Sequence, residues 1–249
     1  MLAKPIIACL DVRSGRVVKG TRFGNLQDQG KPAIRAAQYE EQGADEIVLL
    51  DVSATRQKRL TFGSTVRQVA SVLRIPLTVG GGIRSVRDAE TLFNNGADKV
   101  SLNTAAVEKP GLIRQMADEF GTQSVVVAID AKRQADGWRV FTRAGTRQTK
   151  WDAVAWAQAA QAQGAGELLV TSIDRDGTRQ GFDIGLLAAV KNATGVPVVA
   201  SGGAGQLDDF RQALQVADAV LAAGIFHSGK QTVGSVKRYL KEKGVVVRI

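Results

Sequence analysis

PIIACLDVRSGRVVK, residues 5–19, is an apolar run that ends in a carboxylate, Asp11, and opens into a basic loop. VVVAIDAKR, residues 125–133, repeats the device and ends its apolar run in Asp130. Both runs are continuous rather than alternating, as expected of strands covered on both faces. Six more follow, at 47–51, 77–80, 98–102, 167–172, 197–201 and 218–222.

Helix patterns separate the runs, at about 32–43, 62–74, 85–95, 107–120, 152–163, 183–194, 207–216 and 232–243. Ser85 and Asp183 are expected N-caps, and Gly43, Gly96 and Gly164 suit left-handed helix ends. Pro76 and Pro197 each introduce the next strand. A strand pair at 138–142 and about 145–149, turned at Ala144-Gly145, reads as a loop insertion. Eight β-then-α units with no linker specify an α/β protein, a single (β/α)8 TIM barrel over residues 1–249.

The two halves, about 1–120 and 121–249, echo each other. Asp11 answers Asp130 at an offset of 119 (130 − 11). Asp51 is paired with Asp174, Gly81-Gly82 with Gly202-Gly203, and Asn103-Thr104 with Gly224-Ile225. In a barrel the active site lies at the C-terminal strand ends, and a phosphate often sits after strands seven and eight. The glycine turns there would offer bare N–H groups to an anion. Duplication of that device predicts two phosphate sites on opposite rims, hence a long substrate phosphorylated at both ends, with the aspartates between. Glycines in such turns can also serve the backbone alone.

Composition narrows the function classes. Hydrophobic content of 44% and charged content of 23% describe a globular chain. The single cysteine, Cys9, excludes an intrachain disulfide and a thiolate cluster, and the single histidine, His227, excludes a His-rich metal site. No metal and no cofactor are expected. The N-terminus lacks a signal-peptide pattern and no run is long enough to span a membrane, so the cytoplasm is the expected location. The net charge of +9 raises a nucleic-acid reading, which the 5% aromatic content weakens. Arg13, Arg16, Lys19, Arg22, Arg56, Lys58, Arg59, Lys132, Arg133, Arg175 and Arg179 instead follow strands, where they would share one face and steer a polyanionic small molecule.

The order and spacing of IIACLDV, GRVVKG, TVGGGI, GADKVS, NTAAVE, VVVAIDAKR, TSIDRDGT and ASGGAG cover nearly the whole chain. In these stretches it resembles the cyclase subunit of imidazole glycerol phosphate synthase, from histidine biosynthesis. The related ribotide isomerase of that pathway shares the two aspartates, but the GRVVKG loop and SIDRDGT look like the cyclase. A non-catalytic basic barrel is the third alternative.

The resemblance implies an ammonia-dependent lyase. Ammonia, made by a partner glutaminase docked at the opposite barrel end, attacks the ribulosyl keto carbon of a phosphoribulosyl-formimino-aminoimidazole carboxamide ribotide. Asp11 and Asp130 are the expected general acid/base pair. Lys19, Gly82, Asn103, Thr104, Thr171, Asp176, Gly177, Ser201, Gly202, Gly203 and Gly224 are expected at the substrate, with Asp176 ordering its loop or holding a hydroxyl. The family usually has serine at Gly224. Glu46, Lys99 and Glu167 match an ammonia gate whose fourth member is normally arginine but here is Pro5, so the gate is expected to be looser or rebalanced by Lys4. Asp98 resembles a residue that contacts the glutaminase. Cys9 and His227 read as structural residues.

Overall fold

A computed structural model describes residues 2–21, 24–55, 57 and 59–249. Eight parallel strands close into a barrel: β1 (Ile6–Arg13), β4 (Glu46–Asp51), β5 (Leu77–Gly80), β6 (Lys99–Leu102), β7 (Val125–Gln134), β10 (Glu167–Ser172), β11 (Val198–Ser201) and β12 (Ala219–Ala222). β10 pairs with both β7 and β11, and β12 with β1, which completes the ring. The helices outside it are α1 (Pro32–Glu41), α2 (Gly63–Ala70), α3 (Val86–Phe93), α4 (Thr104–Glu108), α5 (Gly111–Phe120), α6 (Ala153–Ala162), α7 (Ile184–Ala193), α8 (Leu207–Ala213), α9 (Gly224–His227) and α10 (Val233–Glu242).

Strand alternation sorts the side chains into two cores. Ile6, Ala8 and Leu10 face the helices and join the large outer core. Ile7 and Cys9 face inward and pack with Val48, Val126, Leu169, Val199 and Leu221 in a separate apolar lumen. By the same parity Asp11 and Asp130 continue the inward rows of β1 and β7 at the upper rim, and Glu46 and Glu167 begin the inward rows of β4 and β10 at the floor.

Aspartates before strands tie the floor together. Asp45, Asp98 and Asp218 accept the N–H of Ile6, Leu77 and Val198, each at the start of a neighbouring strand. Prolines complement them: the carbonyls of Pro5, Pro76 and Pro197 accept N–H groups from Val220, Ile47 and Leu168. A proline at such a position offers its acceptor and needs no donor.

Ser85 and Asp183 cap α3 and α7 as expected, and Gly43, Gly96 and Gly164 have positive φ. Several expectations are corrected. The basic loop after the first strand is a hairpin: β2 (Arg16–Thr21) pairs antiparallel with β1 and with β3 (Gly24–Gly30). Ser14 and Gly15, both left-handed, make its tight turn. The helix expected at 107–120 is two, because Lys109 is extended before Pro110. In the inserted hairpin, β8 (Gly137–Thr142) and β9 (Arg147–Asp152) flank a four-residue turn, so the second strand starts two residues later than expected.

The repeat also shifts. β4 and β10 correspond end to end at an offset of 121 (167 − 46), which pairs Asp51 with Ser172 rather than with Asp174. β6 and β12 correspond at 120 (219 − 99). Asn103 therefore answers Ala223 and Thr104 answers Gly224; Asn103 and Ala223 share an unusual backbone, φ −129° and ψ −88° against φ −126° and ψ −72°.

Gly82 and Gly203 answer each other at 121 (203 − 82) and both have positive φ. A Cβ on Gly82 would lie 1.9 Å from the Arg59 carbonyl oxygen, and one on Gly203 2.2 Å from that of Gly181. At Gly224 the nearest atoms would be 3.7 Å away. Gly82→Ala is therefore expected to destabilise the protein by about 3 kcal/mol, combining backbone strain with overpacking. Gly224→Ala should stay within about 0.5 kcal/mol; urea titration of both variants checks the contrast.

Candidate active site

The upper rim gathers residues that are distant in sequence. Lys19, on β2, reaches back over the barrel mouth, and its ammonium lies 3.3 Å from Asp11 Oδ2 and 3.1 Å from Asp176 Oδ1. Burial works against that charge, but Asp11 and Asp176 outweigh it and hold the lysine above its ordinary value. Asp176 follows β10 in a loop closed by its own N–H to the Ser172 carbonyl. Expected to order its loop or hold a hydroxyl, it also joins the central charge cluster through Lys19. The lysine expected on a free loop is a strand residue held by two carboxylates.

Asp130 has a different setting. Its Oδ2 accepts from Asn103 Nδ2 at 2.9 Å. Burial raises the carboxyl to about 7; the Asp176 charge adds to this, the Asn103 bond opposes it, and Asp11 contributes further. Near neutral pH Asp130 is thus both proton donor and acceptor. Asn103, expected at a phosphate, also donates its amide N–H to Asp130.

Cys9 Sγ is 3.5 Å from Asp11 Oδ1. Burial, then the Asp11 charge, raises its thiol well above the ordinary range, so it stays protonated and unreactive.

Gly82, Asn103 and Thr104 lie together on one side of the rim, after β5 and β6. Thr104 Oγ1 accepts the Arg143 N–H at 3.0 Å from the inserted hairpin. Ser201, at the end of β11, and Gly202, Gly203 and Gly224, after β11 and β12, lie on the other side, with Asp176 and Gly177 beside them in the loop after β10. Thr171 pairs in register with both Asp130 and Ser201, placing it between the two sides.

The rim cations are largely engaged. Arg59 pairs with the buried Asp51 at 2.7 Å, Arg16 with Asp28 at 2.8 Å, and Arg133 stacks 4.3 Å from the Trp138 ring centre. Arg175 donates to the Gln180 carbonyl. Arg13, Lys132 and Arg179 are exposed. Arg22, Arg56 and Lys58 lie outside the described residues.

At the floor, Lys99 Nζ bridges Glu46 at 2.8 Å and Glu167 at 3.1 Å, and Thr78 donates to Glu46 at 2.5 Å. Burial raises the Glu167 carboxyl, against the pull of Lys99 and with the repulsion of Glu46. Lys4 does not rebalance this group: its ammonium donates to the Ala217 carbonyl and pairs with Asp218. Asp98 is exposed while holding the Leu77 N–H.

Two features escaped the sequence reading. The Ser14-Gly15 turn followed by RVVK is a hairpin signal that could have placed Lys19 on a strand. The contact of Lys19 with Asp176, 157 residues away, has no local signal.

Residues 5–232 match the family model described as histidine biosynthesis protein. The chain is 58% identical to the imidazole glycerol phosphate synthase subunit HisF of Metallosphaera sedula, and 55% identical to that of Sulfurisphaera tokodaii. It is also 55% identical to the HisF of Geobacillus kaustophilus; all three alignments cover 100% of both chains. The barrel with two inward aspartates at its rim thus belongs to the histidine biosynthesis protein family, in its branch of imidazole glycerol phosphate synthase cyclase subunits.

Proposed function

We propose that this cytoplasmic protein cyclises a phosphoribulosyl-formimino-aminoimidazole carboxamide ribotide with ammonia, giving imidazole glycerol phosphate and aminoimidazole carboxamide ribotide. The observation that carries this reading is the unequal aspartate pair. Asp11 is paired with Lys19, whereas Asp130, with its carboxyl near 7, holds a transferable proton at the top of an apolar lumen. Asp130 acts as the general acid, protonating the keto oxygen as ammonia adds, and Asp11 as the base that takes a proton from the added nitrogen. Lys19 leaves its two carboxylates for the substrate's charge. The glycine rims with Asn103 and Thr104 on one side, and Gly177, Ser201, Gly202, Gly203 and Gly224 on the other, hold its two phosphates.

The chain works as one domain made of two half-barrels, with a glutaminase partner at the floor and Asp98 on the docking face. The name of its relatives, a synthase subunit, supports that partnership. Ammonia passes Glu46, Lys99 and Glu167 and then the lumen. Ile7, Val48, Val126, Leu169 and Val199 let a neutral molecule through and exact a desolvation cost from an ammonium ion.

Purified chain with the bisphosphate and an ammonium salt should form product, and with glutamine alone should not; glutamine should serve once the glutaminase is added. Isomerisation without ammonia consumption, or salt-dependent DNA binding without turnover, would sink the reading. Asp11→Asn and Asp130→Asn should each lower kcat by at least about 10²-fold. Lys19→Ser should lower it strongly, and an unchanged rate would show the cation to be incidental.

With Pro5 just before β1 at the floor, one ammonium faces two carboxylates. A floor group with this imbalance should leak. In the complex, glutamine hydrolysis is expected to exceed imidazole glycerol phosphate formation, measured as the ratio of glutamate to product at saturating substrate. A one-to-one ratio would contradict the leak.

Asp130 also predicts a pH effect on stability. Its folded value, about 7, exceeds the ordinary 3.8, so the folded chain binds this proton more tightly than the unfolded chain. The stability it lends is full below about 4 and is lost as pH rises through about 7. Asp130→Asn carries no charge at any pH. Its thermal midpoint relative to wild type should therefore be higher at pH 8 than at pH 4.5. The difference should be about 1–2 kcal/mol, discounted for the partial exposure of the site, or roughly 3–6 °C. Calorimetry at the two pH values measures it.

A further inference from the structure

His227 ends the one-turn helix α9 and is 7% exposed. Its Nδ1 lies 2.5 Å from the hydroxyl of Tyr39, which is 1% exposed on α1. The two rings stack, with centres 5.8 Å apart and planes 22° apart. Nε2 is buried with no hydrogen-bond partner among the described residues. Burial lowers the imidazole to about 4, so it is neutral near pH 7 and carries one N–H. A hydrogen bond joins the tyrosine hydroxyl and Nδ1, its direction set by the tautomer, and in either tautomer Nε2 is left without a partner among the described residues.

An apolar residue would fill this place without an orphaned polar atom. The other half of the barrel uses one: at the offset of 120, the residue answering His227 is Val107, on α4. That helix is fixed from outside instead. Thr104 takes the Arg143 N–H, and the Arg143 guanidinium pairs with Glu108 at 3.1 Å. Gly224, which answers Thr104, has no side chain to be held. The hold on α9 is at its other end, through His227 and Tyr39 to α1.

The start of α9 borders the charge cluster. A Cβ on Gly224 would meet Cγ and Cε of Lys19 at 3.7 Å, so the lysine stem passes beside the start of this helix before its ammonium reaches Asp11 and Asp176. Nothing else in the reaction scheme above uses Tyr39 or His227.

We infer that the Tyr39–His227 hydrogen bond is a positioning pair, fixing the height of α9 against the barrel and so the position of its start beside Lys19 and of the adjoining rim that receives one end of the substrate. This rests on the proposed cyclase reaction. Tyr39→Phe removes only the hydroxyl and keeps the ring packing. It should raise KM for the bisphosphate about fivefold to tenfold in the ammonium assay, with kcat within a factor of two of wild type. His227→Val, the solution of the other half, should match it, and His227→Asn, which keeps a polar atom near the Nδ1 position, should recover part of the loss. A KM within a factor of two of wild type in Tyr39→Phe overturns the inference, whatever happens to Tm. Wild-type protein in the same assay separates the two claims: without ammonium-dependent turnover in it, the cyclase reading itself fails. Weakened binding of inorganic phosphate by Tyr39→Phe, measured by calorimetry, supports the pair in that event, and unweakened binding overturns it.

Discussion

The ammonium of Lys19, held between Asp11 and Asp176, is the interaction on which the upper rim depends. Three carboxylates point into one poorly solvated mouth, and Lys19 stands among them. Two of them take the lysine. The third, Asp130, receives only an amide and keeps its proton near neutral pH. The lysine also joins distant parts of the chain, since it links β2 to the loop after β10. Charge balance at the rim and the position of the hairpin are therefore coupled through Lys19.

Below the rim, strand alternation does the sorting. On β1 the inward row runs Ile7, Cys9 and Asp11, with Pro5 just before the strand, and on β10 it runs Glu167, Leu169 and Thr171. One residue of slip would exchange these rows for Ile6, Ala8 and Leu10, which belong to the outer core. The register is held at the floor, where Asp45, Asp98 and Asp218 take strand N–H groups and Pro5, Pro76 and Pro197 supply carbonyls. The polar floor, apolar lumen and charged rim follow from that register.

Much of this was legible in the sequence. Continuous apolar runs with capped helices between them leave few alternatives to a barrel, and an aspartate at the end of a buried run had to face the rim. The misses share a cause. Lys19 with Asp176 and Tyr39 with His227 are 157 and 188 residues apart, and no local pattern joins them. The repeat was read from similar letters, which paired Asp51 with Asp174; the strands correspond at a different register, set by hydrogen bonding that letters do not reveal. Pro110 is the opposite case, because its effect on Lys109 is local and could have split the helix at 107–120 in advance.

The repeat finally separates what is scaffold from what is chemistry. Gly82 and Gly203 both lie against a backbone carbonyl where any side chain would collide, so they would be glycines with or without a phosphate. Agreement between the halves at such places says little about function. Asp11 and Asp130 agree in position yet differ in company: a cation from β2 at one, a neutral amide from the turn after β6 at the other. The hairpin that carries Lys19 and the turn that carries Asn103 break the symmetry of the halves.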